Sequence, residues 1–142
     1  MPLLRLQLLL AACLTGLIWT VQLVHYPSFD YVAEEMFSAF HAHHTGSITI
    51  VVLPLMLAEL AAGAYAWWQS GWARTPGLLL GMVVLIWAST FGLSVPLHET
   101  LGTAGKDSAV IDRLVRTNWP RTLLWTLRLG WLWLLATNFR QQ

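Results

Sequence analysis

Four apolar runs of helical length, separated by polar or turn-forming residues, limit what this chain can fold into. They lie at Leu6–Val24, Ser47–Trp67, Pro76–Val95 and Thr122–Asn138. Roughly 20 helical residues cross the hydrocarbon core of a bilayer. Within that core a helix satisfies its own backbone hydrogen bonds. The pattern predicts an all-α integral membrane four-helix bundle, with residues 1–142 as a single transmembrane domain. Only 11% of the residues are charged and 56% are hydrophobic, whereas a soluble domain carries about 25% charged residues. A mean hydropathy of +0.58 agrees. The net charge of +1, without any basic block, gives no basis for a nucleic-acid partner. The single Cys13 excludes an internal disulfide and a Cys-pair metal site.

The joints between runs set the topology. Gln69-Ser70-Gly71 and Arg74-Thr75-Pro76 read as a short turn between the second and third spans, which favours antiparallel neighbours. The long connections are Tyr26–Gly46 and Pro96–Pro120. Tyr31–Ala42 places Tyr31, Val32, Met36 and Phe40 among acids, the pattern of a short interfacial helix. Asp107 or Ser108 is positioned to cap a second short helix over Ala109–Thr117. Asn118 is expected to end it, and Pro120 to open the fourth span. These two pieces are expected to form a lid. At the amino terminus, Leu10-Ala11-Ala12-Cys13 fits a lipoprotein cleavage box. The apolar run continues beyond it to Val24, which favours an uncleaved first span.

Nine tryptophans are present, and Trp19, Trp67, Trp68, Trp72 and Trp119 fall where a bilayer interface is expected. The first long connection has no Lys or Arg and holds Asp30, Glu34 and Glu35. Arg5, Arg74 and Arg140 mark the opposite side, while Lys106, Arg113 and Arg116 on the third connection pull the other way. On balance both termini face the cytoplasm of a cell with the chain in its inner membrane, and the first and third connections face the periplasm or exterior.

All five histidines fall at the end of the first span, the start of the second and the end of the third: His25, His41, His43, His44 and His98. Antiparallel spans bring these ends to one surface. His41 and His44, three residues apart, share a helical face, and His43 points away from it. Gln22 with His25, and Thr90, Ser94 and His98, form similar stripes. The second span carries His41, His44, Ile48, Val51, Leu55 and Glu59 roughly along one line. On the fourth, Asn118, Arg121, Trp125 and Arg128 recur at steps of three or four. Arg128 lies deep in its run, where a charge faces the bundle interior, and Glu59 is the acid available to it, directly or through water. That pair reads as structural.

Two chemistries suit the shared end. His25, His41, His44 and His98 can hold a transition metal (Cu, Fe or Zn) or ligate haem, with Glu34, Glu35 or Glu99 as additional or orienting oxygens. Alternatively, with no cofactor, His98 works as acid–base catalyst while Asn118 and Arg121 stabilise an oxyanion. A cavity between the helices would take a lipophilic substrate.

Thr90, Val95-Pro96-Leu97-His98 and Leu101, then Trp119 and Arg121-Thr122 leading into an apolar helix, resemble the anthrone-oxygenase-like family of small four-helix membrane proteins. The resemblance covers about the second half of the chain. It implies an oxygenase-type oxidoreductase that oxidises an aromatic substrate with molecular oxygen, without a cofactor. Pro96, Trp119 and Arg121 match, whereas His98 stands where the family often has Asn. The favoured reading is a membrane oxidoreductase acting on a lipophilic aromatic or quinone-like molecule at the histidine-rich face. The alternative is a non-enzymatic metal- or haem-binding accessory subunit or a small transporter, with a homo-oligomer or membrane-complex partner. Gly77, Gly81 and Gly92 are candidates for close helix contacts, within this chain or with a partner.

Overall fold

Four helices, joined by three tight connections, make up the computed structural model, which describes residues 2–138. Arg140 lies outside the described residues. The helices are α1 (Pro2–Tyr31), α2 (Glu34–Gln69) and α3 (Arg74–Ala104), and α4 (Ser108–Asn138). Among the described residues there is no strand. Helices α1, α2 and α3 are long and apolar enough to cross a membrane. Helix α4 is equally long, but Arg121, Arg128 and its tryptophans dilute its apolar run.

Each connection has a local cause. Val32 and Ala33 are extended, with ψ of 131° and 143°, which breaks α1 from α2. Gly71 and Trp72 both take a φ of 66° between α2 and α3. After α3, Gly105 takes a φ of 85°, a conformation that glycine adopts without a Cβ penalty. Its N–H bonds back to the Leu101 carbonyl. Asp107 Oδ1 then accepts from the N–H groups of Ala109 and Val110, capping α4.

The two short interfacial helices expected from the sequence do not exist as separate elements. Glu34–Ala42 is the first part of a continuous α2, because nothing after Ala33 interrupts the backbone. Ala109–Thr117 is likewise continuous with the fourth span. Asn118 does not stop that helix: its side chain bonds across to α1 and leaves the backbone helical. Pro120 lies on an exposed face, as does Arg116, whose carbonyl loses its helical partner there, so the freed group is not sealed inside the bundle.

The interior is unusually polar and the exterior unusually apolar. Along α4 the buried residues are Ile111, Leu114, Asn118, Arg121, Thr122, Trp125, Arg128 and Leu132, spaced by three and four. Leu123, Leu127 and Leu134 of the same helix face outward. This distribution suits a lipid exterior, where charged side chains turn inward.

One network joins all four helices on the Arg5 side of the histidines. Arg128 Nη1 lies 2.6 Å from Glu59 Oε1, with the two side chains 0% and 1% exposed. The contact is direct. Trp125 Nε1 donates to Glu59 Oε2 at 2.9 Å, and Arg128 Nη2 donates to Gln7 Oε1 at 3.1 Å. Arg128 Nε reaches the Leu79 carbonyl at 3.4 Å. Gln7, Leu10 and Ala11 are buried, so the segment preceding Cys13 is built into the bundle.

Of the three glycines that the sequence marked for close contacts, Gly77 meets a neighbour: an added Cβ would lie 2.8 Å from Trp67 Nε1. Gly81 and Gly92 face open space. The close contact at Gly77 is within this chain.

Candidate functional site

Two π turns deliver two of the histidines. One spans Val21–His25 in α1 and the other Thr90–Ser94 in α3. Each ends two residues before a proline, Pro27 and Pro96. A proline has no N–H for the helix ladder, and its ring crowds the carbonyl four residues back. A widened turn there relieves both problems, and such turns recur at functional sites. One inserted residue also rotates the downstream side chains by about 100° around the helix axis. His25 closes the first turn, and His98 lies four residues beyond the second.

Helix α2 supplies His41 and His44 from one buried face, at 3% and 6% exposure. His43 is exposed on the far side. Val51, placed on the same stripe by spacing, is exposed, whereas Ile48 and Leu55 pack against the core.

The four remaining histidines meet. His25 Nε2 lies 2.6 Å from His44 Nδ1, and His41 Nε2 lies 3.1 Å from His98 Nδ1. Ring centroids are 4.4 Å apart for His25–His44, 5.3 Å for His41–His98 and 5.5 Å for His44–His98. His44 Nε2 is buried without a hydrogen-bond partner. As the rings stand, nitrogens pair with one another, and among the described residues no group of three or more His, Cys, Asp or Glu is arranged to hold a metal ion.

Sequence reasoning missed two members of this site. Tyr26 Oη lies 3.1 Å from His98 Nε2. Phe29, fully buried, packs edge-on against His25, His41, His44 and His98 at centroid distances of 5.1–6.4 Å. An aromatic pair just past an apolar run looks like interfacial anchoring, so only the fold distinguishes it. Glu34, Glu35 and Glu99 are exposed, and none hydrogen-bonds a histidine. The tyrosine hydroxyl, rather than a carboxylate, meets a histidine of the cluster.

The two loops close over this end. Lys106 Nζ donates to the carbonyls of Asp30 and Val32 at 2.7 and 2.8 Å, and Ser108 Oγ donates to Asp30 Oδ1 at 2.7 Å. A cation on carbonyls at the end of α1 also meets the negative end of the helix dipole.

Beneath the histidines lies a second polar layer. Asn118 Nδ2 donates to Gln22 Oε1 at 2.8 Å, and Gln22 Nε2 donates to the Val115 carbonyl at 3.1 Å. Asn118 Oδ1 accepts from Arg121 Nη2, and Arg121 Nη1 donates to Thr90 Oγ1 at 3.3 Å. Through Thr90, two turns before His98 on α3, Arg121 is tied to the helix that carries that histidine. Asn118 and Arg121 therefore sit towards the cluster, whereas Glu59 and Arg128 belong to the separate four-helix network. An open apolar groove lined by Leu8, Leu9, Ala12, Leu129, Gly130 and Trp133 lies between α1 and α4, towards the Arg5 end. It is not the cavity beside the histidines that the sequence led us to expect.

No family model, no curated protein and no solved structure matches the chain.

Proposed function

We propose that this chain is a four-span metalloprotein of a cell's inner membrane, with its histidine cluster as the site of one transition-metal ion. Cu, Fe and Zn all suit a set of neutral imidazoles. The observation that carries the reading is the buried His44 Nε2, left without a partner among three other imidazole rings. A hydrogen-bonded histidine core satisfies its buried nitrogens, and this one does not. Metal–nitrogen bonds of about 2.0–2.1 Å in a tetrahedral site put neighbouring nitrogens about 3.3 Å apart. The His41 Nε2–His98 Nδ1 pair, at 3.1 Å, is close to that spacing, and a turn of the His44 ring that gives up its Nδ1 contact with His25 would bring the open Nε2 to the same ion. His25, His41, His44 and His98 are the ligands, and Tyr26 orients His98 through its second nitrogen, as outer partners of ligating histidines do.

A second reading, an oxidoreductase acting on a lipophilic aromatic or quinone-like molecule, is favoured by Asn118 and Arg121, tied through Thr90 to the helix that carries His98. In that reading the metal, or His98 itself as acid–base catalyst, does chemistry on a molecule arriving from the bilayer. The histidine end faces the periplasm or exterior in both.

Metal analysis and an optical spectrum of detergent-purified protein test the proposal. One ion per chain, with absorption bands of an imidazole-bound metal where that metal is Cu or Fe, is the expected result. Protein that remains metal-free after incubation with each of the three ions overturns it.

A further inference from the structure

Helix α4 buries two arginines two turns apart, and they are treated differently. Arg128 has the Glu59 carboxylate. Arg121, 6% exposed, has only the neutral oxygens of Thr90 and Asn118. Among the described residues no acidic side chain lies within ion-pair distance of it. Burying a cation without a counterion is costly, and the guanidinium keeps unused capacity. Its Nε is buried and has no partner.

Three more unpartnered groups sit on the stretch of α3 that carries Thr90, the residue Arg121 binds: Trp87 Nε1, Ser89 Oγ and Ser94 Oγ. Trp87 Nε1 is one turn before Thr90 and Ser94 Oγ one turn after it, both sealed from solvent. Arg Nε–H and Trp Nε1–H are donors only, and a serine hydroxyl can donate. Unmet donors one turn to either side of the residue that holds an uncompensated cation call for an acceptor that carries negative charge. The free Nε–H lies on the edge of a planar guanidinium, the shape that grips a carboxylate through two parallel hydrogen bonds.

The geometry points to a carboxylate-binding site at Arg121, completed by Trp87 and Ser94 of α3 and held open by Asn118 and Thr90. Asn118 is fixed for this task, because its amide donates to Gln22 and so turns its oxygen towards Arg121. The site does not depend on a metal being bound. Its occupant is either a small water-borne carboxylate entering past the loops or the headgroup of a fatty acid entering from the bilayer.

The test uses full-length, chelator-treated protein in detergent, so that an anion bound to a metal is not counted. Formate represents the water-borne source and oleate the lipid-borne one. Binding is followed by calorimetry and by ligand-dependent thermal stabilisation, which a ligand specific to the folded state must produce. We expect saturable binding of at least one probe, weakened about tenfold or more in Arg121→Gln, in line with the loss of hydrogen bonds to a charged group. Trp87→Phe keeps the ring and removes only the N–H. It weakens binding several-fold and decides the matter if Arg121→Gln fails to fold. Binding of formate identifies an aqueous route, and binding of oleate alone a bilayer route. Saturable binding of neither probe, or unchanged affinity in Arg121→Gln or Trp87→Phe, overturns the assignment.

Discussion

His25 Nε2 and His44 Nδ1 lie 2.6 Å apart, linking the end of α1 to the start of α2 across 19 residues of sequence. The link depends on the π turn before Pro27 and on a continuous α2 that keeps His41 and His44 on one buried face. It joins a cluster that includes His41 and His98, roofed by the loops and faced by Phe29.

Removing one partner of the Glu59–Arg128 ion pair strands a buried charge. Glu59→Ala is expected to destabilise the protein by about 3–5 kcal/mol. Glu59→Leu combined with Arg128→Met removes both charges and is expected to cost much less than the two single changes summed. Unfolding in mixed micelles with increasing denaturing detergent measures both. Additive losses would show that the pair does not act as a unit.

The contact between Trp67 and Gly77 fixes the turn between α2 and α3. Gly77→Ala places a methyl 2.8 Å from the Trp67 ring nitrogen and is expected to cost about 1–3 kcal/mol through overpacking. Gly81→Ala, with nothing within 4 Å of the new methyl, is expected to be neutral or slightly stabilising, because alanine favours helix. Thermal unfolding of the two variants side by side checks the contrast.

Lys106 fastens the third connection to the first through two carbonyls. Lys106→Met keeps the apolar stem and removes the donor. It is expected to raise hydrogen exchange and protease cleavage around residues 28–34 severalfold, while exchange near Glu59 stays unchanged. Equal exchange in the first connection of both proteins would mean that the loop closes by other contacts.

Much of this architecture is legible in the chain, and the exceptions have physical causes. The apolar runs place the helices, Gly71 and Pro76 mark a turn, and helical spacing puts His41 and His44 on one face and His43 on the other. The stripe Asn118–Arg121–Trp125–Arg128 is the buried face of α4. Asn118 and Pro120 resemble a helix boundary in sequence, since both are ordinary stop or start signals. Here Asn118 spends its side chain on Gln22 and Arg121, and Pro120 faces outward. The π turns are invisible at that level, because one inserted residue shifts a helical face without changing the apolar count. Tyr26 and Phe29 escape notice for a different reason: their partners lie on α2 and α3, which local spacing cannot reveal.

The most direct measurement of the central claim is metal stoichiometry across two histidines one residue apart. Protein purified in detergent after growth with added Cu, Fe or Zn is assayed as wild type, His43→Ala and His44→Ala. One ion per chain is expected in the wild type and in His43→Ala, whose side chain is exposed, and a loss of most of that metal is expected in His44→Ala, whose Nε2 is the buried open nitrogen. Full metal content in folded His44→Ala, or none in the wild type, would contradict the account.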